Sequence, residues 1–115
     1  MEIIERKIAG KCGNDAACED GIIATNDFVA VIDGSTSKTG FRFSRDLTNG
    51  RFCMLLLSKL ISEMPKDITL DGFCSDATAC IHSYYKSDET TFLSHPERRM
   101  CASVVVYSSQ RNEIW

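Results

Sequence analysis

The alternation of apolar and polar residues along the chain predicts several short β-strands. Residues 25–27, Thr-Asn-Asp, have the composition of a tight turn between two of them. Residues on both sides of the strand that follows this turn are apolar until Asp33, so we expect both of its faces to be covered. The segments with strand character are 2–10, 21–25, 27–33, 101–108 and, at the end of the chain, 113–115.

Two segments between the strands have the spacing of amphipathic helices. The first lies before Pro65 and repeats apolar residues every three or four positions: Phe52, Cys53, Leu56, Leu57, Leu60, Ile61 and Met64. The second begins after a capping residue, Thr69, and its apolar stripe is Phe73, Ala77, Cys80, Ile81 and Tyr84. Residues 87–99 are polar and predict a loop. Strands, two helices and a final strand pair favour an antiparallel sheet with helices packed on it, the α+β class.

Length and charge limit the functions to be considered. A chain of 115 residues has room for one domain, residues 1–115, and a net charge of −3 without a basic stripe argues against nucleic acid. No apolar run approaches the roughly 20 residues that a membrane span needs. The first ten residues have no long apolar segment behind a basic leader, so we expect no signal peptide and a cytoplasmic protein. A strand that begins at Glu113 suggests that these residues are the first part of a longer protein.

The six cysteines predict buried thiols more than a zinc site. No Cys-x-x-Cys pair occurs, and the closest cysteines, Cys12 with Cys18 and Cys74 with Cys80, are six positions apart. A free thiol among apolar neighbours behaves as a small hydrophobic group. The cysteines with such neighbours are Cys53, Cys74, Cys80 and Cys101.

Three acids around the predicted hairpin are candidate ligands of a hard cation. Glu19 and Asp20 precede one strand, and Asp33 ends the next, directly before Gly34. Magnesium and manganese prefer oxygen ligands, and a glycine leaves its own carbonyl unobstructed. Two short strands and a turn return the chain to its start, so the acids should lie within about 10 Å of one another at one end of the sheet. Asp-Gly is also a common turn sequence, and Glu-Asp-Gly can be a solvated loop.

The order of these features resembles the metal-dependent protein phosphatases of the protein phosphatase 2C family. Cys18-Glu19-Asp20 is followed thirteen residues later by Asp33 in Val-Ala-Val-Ile-Asp-Gly. A long helix, a second helix and the strand Cys-Ala-Ser-Val-Val-Val at 101–106 then follow in the family's order. The resemblance extends over nearly all 115 residues and depends on order and spacing more than on one specific motif.

The resemblance implies an antiparallel β-sandwich with helices on its outer faces and two divalent ions, Mg²⁺ or Mn²⁺, at one end. Asp33 would bridge the ions, the Gly34 carbonyl would bind one, Glu19 would reach a metal, and Asp20 would orient a water. The implied reaction is metal-dependent phosphoric-ester hydrolysis by water. Its substrate would be a phosphorylated protein or a small phosphate ester.

The sequence departs from the family at three places. Ser35-Thr36-Ser37 replaces the usual glycines after Asp-Gly, and Ser35 is a poor proton donor that we expect only to contact the substrate, together with Lys11. Asp15 stands where typical members have a phosphate-binding arginine; Lys11 is a substitute without the planar fork of a guanidinium. The later aspartates of the family's metal site do not occur before the chain ends.

Two other functions therefore stay open. One is a degenerate phosphatase-like domain that binds a partner or a metal without turnover, which the loss of the glycines favours. The other takes residues 31–40 as the phosphate hairpin of an actin-like or sugar-kinase fold, since the backbone N–H groups and hydroxyls of such a turn bind phosphate.

Overall fold

The computed structural model describes the backbone of all 115 residues and every side chain except that of Cys12. Its elements form a four-stranded antiparallel sheet and three α-helices in the described chain. The strands are β1 (Asp20–Ala24), β2 (Phe28–Ser35), β3 (Cys101–Ser108) and β4 (Glu113–Ile114); the helices are α1 (Asn49–Glu63), α2 (Leu70–His82) and α3 (Glu89–Ser94). Short 3₁₀ turns occupy Lys11–Gly13, Asp15–Ala17 and Pro96–Arg98. The α+β class predicted from the sequence is confirmed.

The strands follow one another in the sheet in chain order, β1-β2-β3-β4, and every neighbouring pair is antiparallel. The predicted turn at 25–27 joins β1 to β2, and the Thr25 hydroxyl accepts a hydrogen bond from the Phe28 amide at 2.9 Å. This short connection fixes the register, in which Asp20 is the partner of Asp33. The acids predicted to lie together therefore meet at one end of the sheet.

Helix α1 forms the core with one face of the sheet. Its residues Cys53, Met54, Leu57 and Ile61 are buried against Phe28, Ala30, Ile32 and Val106. Burial of large apolar side chains contributes roughly 1.5–3 kcal/mol each, so this helix–sheet contact stabilises the fold substantially. The helix begins at Asn49, and the Thr48 hydroxyl caps it by accepting from the Arg51 amide at 3.3 Å.

Only one face of the sheet is covered, contrary to the prediction for the second strand of the hairpin. Phe28, Ala30 and Ile32 are buried on the helix side, whereas Val31 is 53% exposed and Val105, its partner on β3, is 56% exposed. Both sides are apolar, but the helices pack on one side alone. A two-sheet sandwich stays a proposal, because the described residues form one sheet.

Two predictions of local structure are wrong. Residues 1–10 form no strand: they alternate in polarity, but no neighbouring strand satisfies their backbone groups. Instead Lys7 and Ile8 lie beside the open face near Ile22 and Val31. Residues 87–99, predicted as loop, contain α3, which Asp88 caps by accepting from the Thr91 amide at 3.3 Å.

The prediction that four cysteines are buried among apolar neighbours is correct for only some of them. Cys53 is buried and Cys80 is partly buried, whereas Cys74 and Cys101 are exposed. Cys74 and Cys101 both border a cleft beside α2. The Cys12 thiol lies outside the described part of the molecule. Among the described residues, none of the helices combines the length and apolar character that a membrane crossing requires.

Candidate metal centre

Asp20 and Asp33 face each other across the first two strands. They are register partners, and the Gly34 amide donates to the Glu19 carbonyl at 3.1 Å in the next pair along the ladder. Hydrogen-bonded and non-hydrogen-bonded pairs alternate in an antiparallel ladder, so Asp20 and Asp33 form the closer, non-hydrogen-bonded kind, with Cα atoms about 4.5 Å apart. Their side chains point to the same, uncovered face.

This pair of like charges has no cationic partner. Within the described side chains, no lysine, arginine or histidine nitrogen comes within 4.0 Å of either carboxylate. The Cys18 thiol is 3.9 Å from an Asp20 carboxylate oxygen. Like charges directly opposite one another on a sheet are destabilising. The hairpin therefore ends in a carboxylate pair to which a bound cation would bring the missing positive charge.

Glu19 lies on the other side of the sheet end. Its carboxylate accepts a short hydrogen bond from the Thr36 hydroxyl, and the oxygen of that hydroxyl accepts from the Gly50 amide at 2.7 Å. Gly50 is in the first turn of α1, where backbone N–H groups have no partner within the helix. Glu19 is thus joined through Thr36 to the start of the helix, while it also borders the same small cavity as Asp20 and Asp33.

Gly34 is required by a close approach of backbone to backbone. A Cβ atom at Gly34 would collide with the Gly50 carbonyl and would lie 2.7 Å from the Glu19 carbonyl oxygen. A Cβ at Gly50 would lie 2.9 Å from the Glu19 carboxyl carbon and from the Gly34 carbonyl carbon. The two glycines let the first turn of α1 rest on the end of β2, which holds the acidic end of the hairpin in place.

Lys11 is near the carboxylates, as the sequence suggested. It borders a cavity of about 130 Å³ whose lining includes Asn14, Glu19, Asp20, Asp33 and Gly34. Lys11 also borders a larger cavity, of about 510 Å³, on the open face, together with Lys7, Asp20 and Asp33. Ser35 is exposed at the end of β2 and does not border either of these cavities. The structure therefore places Lys11, but not Ser35, beside the acidic pair.

Arg51 holds the segment before the acids, a contact that sequence reasoning missed. Its guanidinium donates to the Cys18 carbonyl, and to the Asp15 carbonyl at 3.5 Å. A positive charge in the first turn of a helix interacts unfavourably with the helix dipole. The position of Arg51 in that turn was therefore the one sign in the sequence that its side chain makes a contact elsewhere. Asp15, which stands where an arginine was expected, accepts from the Gly10 amide at 2.8 Å.

The oxygen donors fit one hydrated divalent ion better than two ions. Magnesium is usually held by one or two carboxylates and keeps several waters, which Asp20 and Asp33 with the Gly34 carbonyl would satisfy. In the described part of the chain, no three His, Cys, Asp or Glu side chains are arranged to hold a metal. A second ion would need ligands beyond this pair.

Comparisons with known proteins add no independent identification. No protein-family model, no curated protein and no solved structure matches the chain. The phosphatase-like reading therefore rests on the order of sequence features and on the local geometry at the end of the hairpin.

Proposed function

We propose that this chain carries the acidic part of a metal-dependent phosphoric-ester hydrolase site. The observation that supports the proposal best is the cross-strand pair of Asp20 and Asp33, which has no cation within 4.0 Å among the described side chains. The pair is placed on the uncovered face by a short turn and a fixed register. Mg²⁺ or Mn²⁺ is the cofactor that such oxygen ligands favour.

Each residue near the pair has a distinct part in the proposal. Asp20 and Asp33 hold the cation, and Lys11, which borders the same cavity, attracts the phosphate group of the substrate. Glu19 keeps its hydrogen bond with Thr36, and Thr36 in turn accepts from the Gly50 amide of α1. These contacts hold the end of β2 against the first turn of the helix. When bound, the ion supplies an activated water and offsets the charge of the phosphoryl oxygens. The substrate is a phosphorylated protein or a small phosphate ester.

A binding domain without turnover is the second candidate, and a specific observation favours it. The family resemblance would make Glu19 a metal ligand, but its carboxylate accepts a hydrogen bond from the Thr36 hydroxyl. The described residues supply two facing carboxylates, enough to hold magnesium weakly because this ion gives up its hydration shell reluctantly. Such a domain would bind a metal or a phosphorylated partner at the same place.

Titration calorimetry with Mn²⁺ and hydrolysis of p-nitrophenyl phosphate test the proposal together. We expect weak binding that Asp33→Asn removes and that Asp27→Asn, at the opposite end of β2, leaves unchanged. Residues 1–115 alone should hydrolyse the ester no faster than buffer with metal. Binding that survives Asp33→Asn would contradict the metal site.

The two candidates can be separated in a form of the protein that supplies further acidic ligands. Mn²⁺-dependent turnover in that form, together with its loss in Asp33→Asn, would favour the hydrolase. Metal binding without turnover in that form would favour the binding domain.

A further inference from the structure

An apolar cleft between α2 and the sheet is separate from the acidic pair. Its volume is about 470 Å³, within the range of roughly 300–1,000 Å³ that is usual for small-molecule sites. The side chains that line its apolar part are Cys53, Leu57, Phe73, Ala77, Ile81 and Val104. They belong to α1, α2 and β3, so the cleft exists because α2 does not close fully onto the sheet.

The thiol in the floor of this cleft acts as an apolar group. Burial, with a smaller effect of the nearby Cys101 and Cys80, raises the pKa of Cys53 to about 11. Cys53 is therefore a neutral thiol at pH 7, in contact with aliphatic and aromatic neighbours. The long part of the cleft offers no charge to a ligand.

One end of the cleft is polar. His82, Tyr85 and Arg99 line the cleft and also a smaller adjoining cavity of about 150 Å³, which places them together where the two spaces meet. His82 is paired with Glu89 at 3.3 Å. Arg99 is the cation at this end without a carboxylate partner within 4.0 Å among the described side chains.

Two groups at this end, the Tyr85 hydroxyl and the Arg99 guanidinium, keep at least one N–H or O–H hydrogen that no described residue accepts. Tyr85 is 8% exposed, and its hydroxyl oxygen accepts from the Met100 amide at 2.8 Å, while its own hydrogen is not donated to any described residue. Arg99 donates through Nε to the Phe92 carbonyl at 2.7 Å and through Nη2 to the Leu93 carbonyl at 3.2 Å, which leaves Nη1 free. Tyr85 is buried and Arg99 is exposed, so a carboxylate placed at this end of the cleft would meet one hydroxyl from the protein interior and one guanidinium from its surface.

We propose that the cleft binds a medium-chain carboxylate. The two carboxylate oxygens accept from the Tyr85 hydroxyl and the Arg99 guanidinium, and the alkyl chain lies along Leu57, Ala77 and Ile81. The match is one of charge and of polarity: the Arg99 guanidinium and the Tyr85 hydroxyl stand at one end of a mostly apolar cleft, and the other charged groups there, His82 and Glu89, are paired with each other. This site is independent of the proposed hydrolase site and does not require a metal.

The first test is binding of decanoate, with decyltrimethylammonium as the ligand of opposite charge. We expect decanoate to bind with a dissociation constant below about 1 mM and the cation to bind much more weakly. Arg99→Gln should weaken decanoate about tenfold, because a charge-assisted hydrogen bond is lost. Arg98→Gln is the matched control, since Arg98 stacks 5.8 Å from the Phe41 ring, and it should leave binding unchanged.

The second test localises the ligand. Cys74 is exposed and borders the cleft, whereas Cys80, on the same helix, does not border it. Decanoate should slow alkylation of Cys74 by iodoacetamide and leave that of Cys80 unchanged, and Ala77→Trp, which fills the cleft, should abolish binding. If that variant does not fold, protection of Cys74 by decanoate in the unaltered chain decides whether the ligand lies in the cleft. Equal binding of both amphiphiles, no binding of decanoate, or no protection of Cys74 would overturn the proposal.

Discussion

Thr36 donates its hydroxyl hydrogen to the Glu19 carboxylate and accepts the Gly50 amide hydrogen at 2.7 Å. One hydroxyl thus connects the segment before β1 to the first turn of α1. The sequence marks Thr36 only as part of a Ser-Thr-Ser segment that departs from a family pattern. In the structure Thr36 has a local role: its hydroxyl is the hydrogen-bond partner of the Gly50 amide and holds the Glu19 side chain in place.

We predict that Thr36→Val lowers the free energy of unfolding by about 1–3 kcal/mol. Valine keeps the shape but leaves both the Gly50 amide and the Glu19 carboxylate without their partner. Urea denaturation measures the change. Thr90→Val, at an exposed position of α3, is the control and should stay within about 0.5 kcal/mol of the unaltered protein. Equal stability of the two variants would show that the Thr36 bridge has no net effect.

Gly34→Ala should be strongly destabilising, by about 2 kcal/mol or more, because the added methyl group meets backbone atoms of Gly50 and Glu19 that cannot rotate away. Gly40→Ala provides the comparison, since a methyl group there has no neighbour within 4 Å. Thermal unfolding of both variants tests the difference. Similar melting temperatures would mean that the first turn of α1 does not rest on β2 as described.

Stability should fall at high pH because of Cys53. Its folded pKa of about 11 lies above the ordinary value of 9.0, mainly because the thiol is buried. Below pH 9 both states keep the proton and the stability is full. Between pH 9 and 11 the unfolded chain ionises first, so the free energy of unfolding falls by up to about 1.4 kcal/mol per pH unit from this group.

Cys53→Ala should flatten this decline relative to the unaltered protein, while Cys74→Ala, at an exposed position, should not. Urea denaturation at several pH values between 8.5 and 11 gives the slopes. An identical slope in Cys53→Ala and the unaltered chain would contradict the assignment to Cys53.

Local patterns predicted the elements whose apolar spacing and caps are unambiguous. Thr69 caps α2 as predicted, and the turn at 25–27 gives the hairpin its register. The position of Asp33 beside Asp20 follows from that register. These features depend on neighbours in sequence, which is why sequence reasoning found them.

Contacts between distant segments were not predictable in the same way. Residues 2–10 alternate like a strand, but pairing requires a partner, and periodicity does not report whether one is present. The close approach of Gly34 to Gly50 and the contact of Arg51 with the Cys18 carbonyl join residues 16 and 33 positions apart. Nothing in the local sequence reports such distances, and the hydrogen bond of the Glu19 carboxylate with Thr36 belongs to the same set of long-range contacts.

The most direct test of the central claim is paramagnetic line broadening of backbone amide NMR signals by Mn²⁺. We predict that small additions broaden the signals of Asp20, Gly21, Asp33 and Gly34 first, and that Asp33→Asn abolishes this selectivity whereas Asp27→Asn does not. Broadening that is centred elsewhere, or that persists unchanged in folded Asp33→Asn, would contradict a metal site at the Asp20–Asp33 pair.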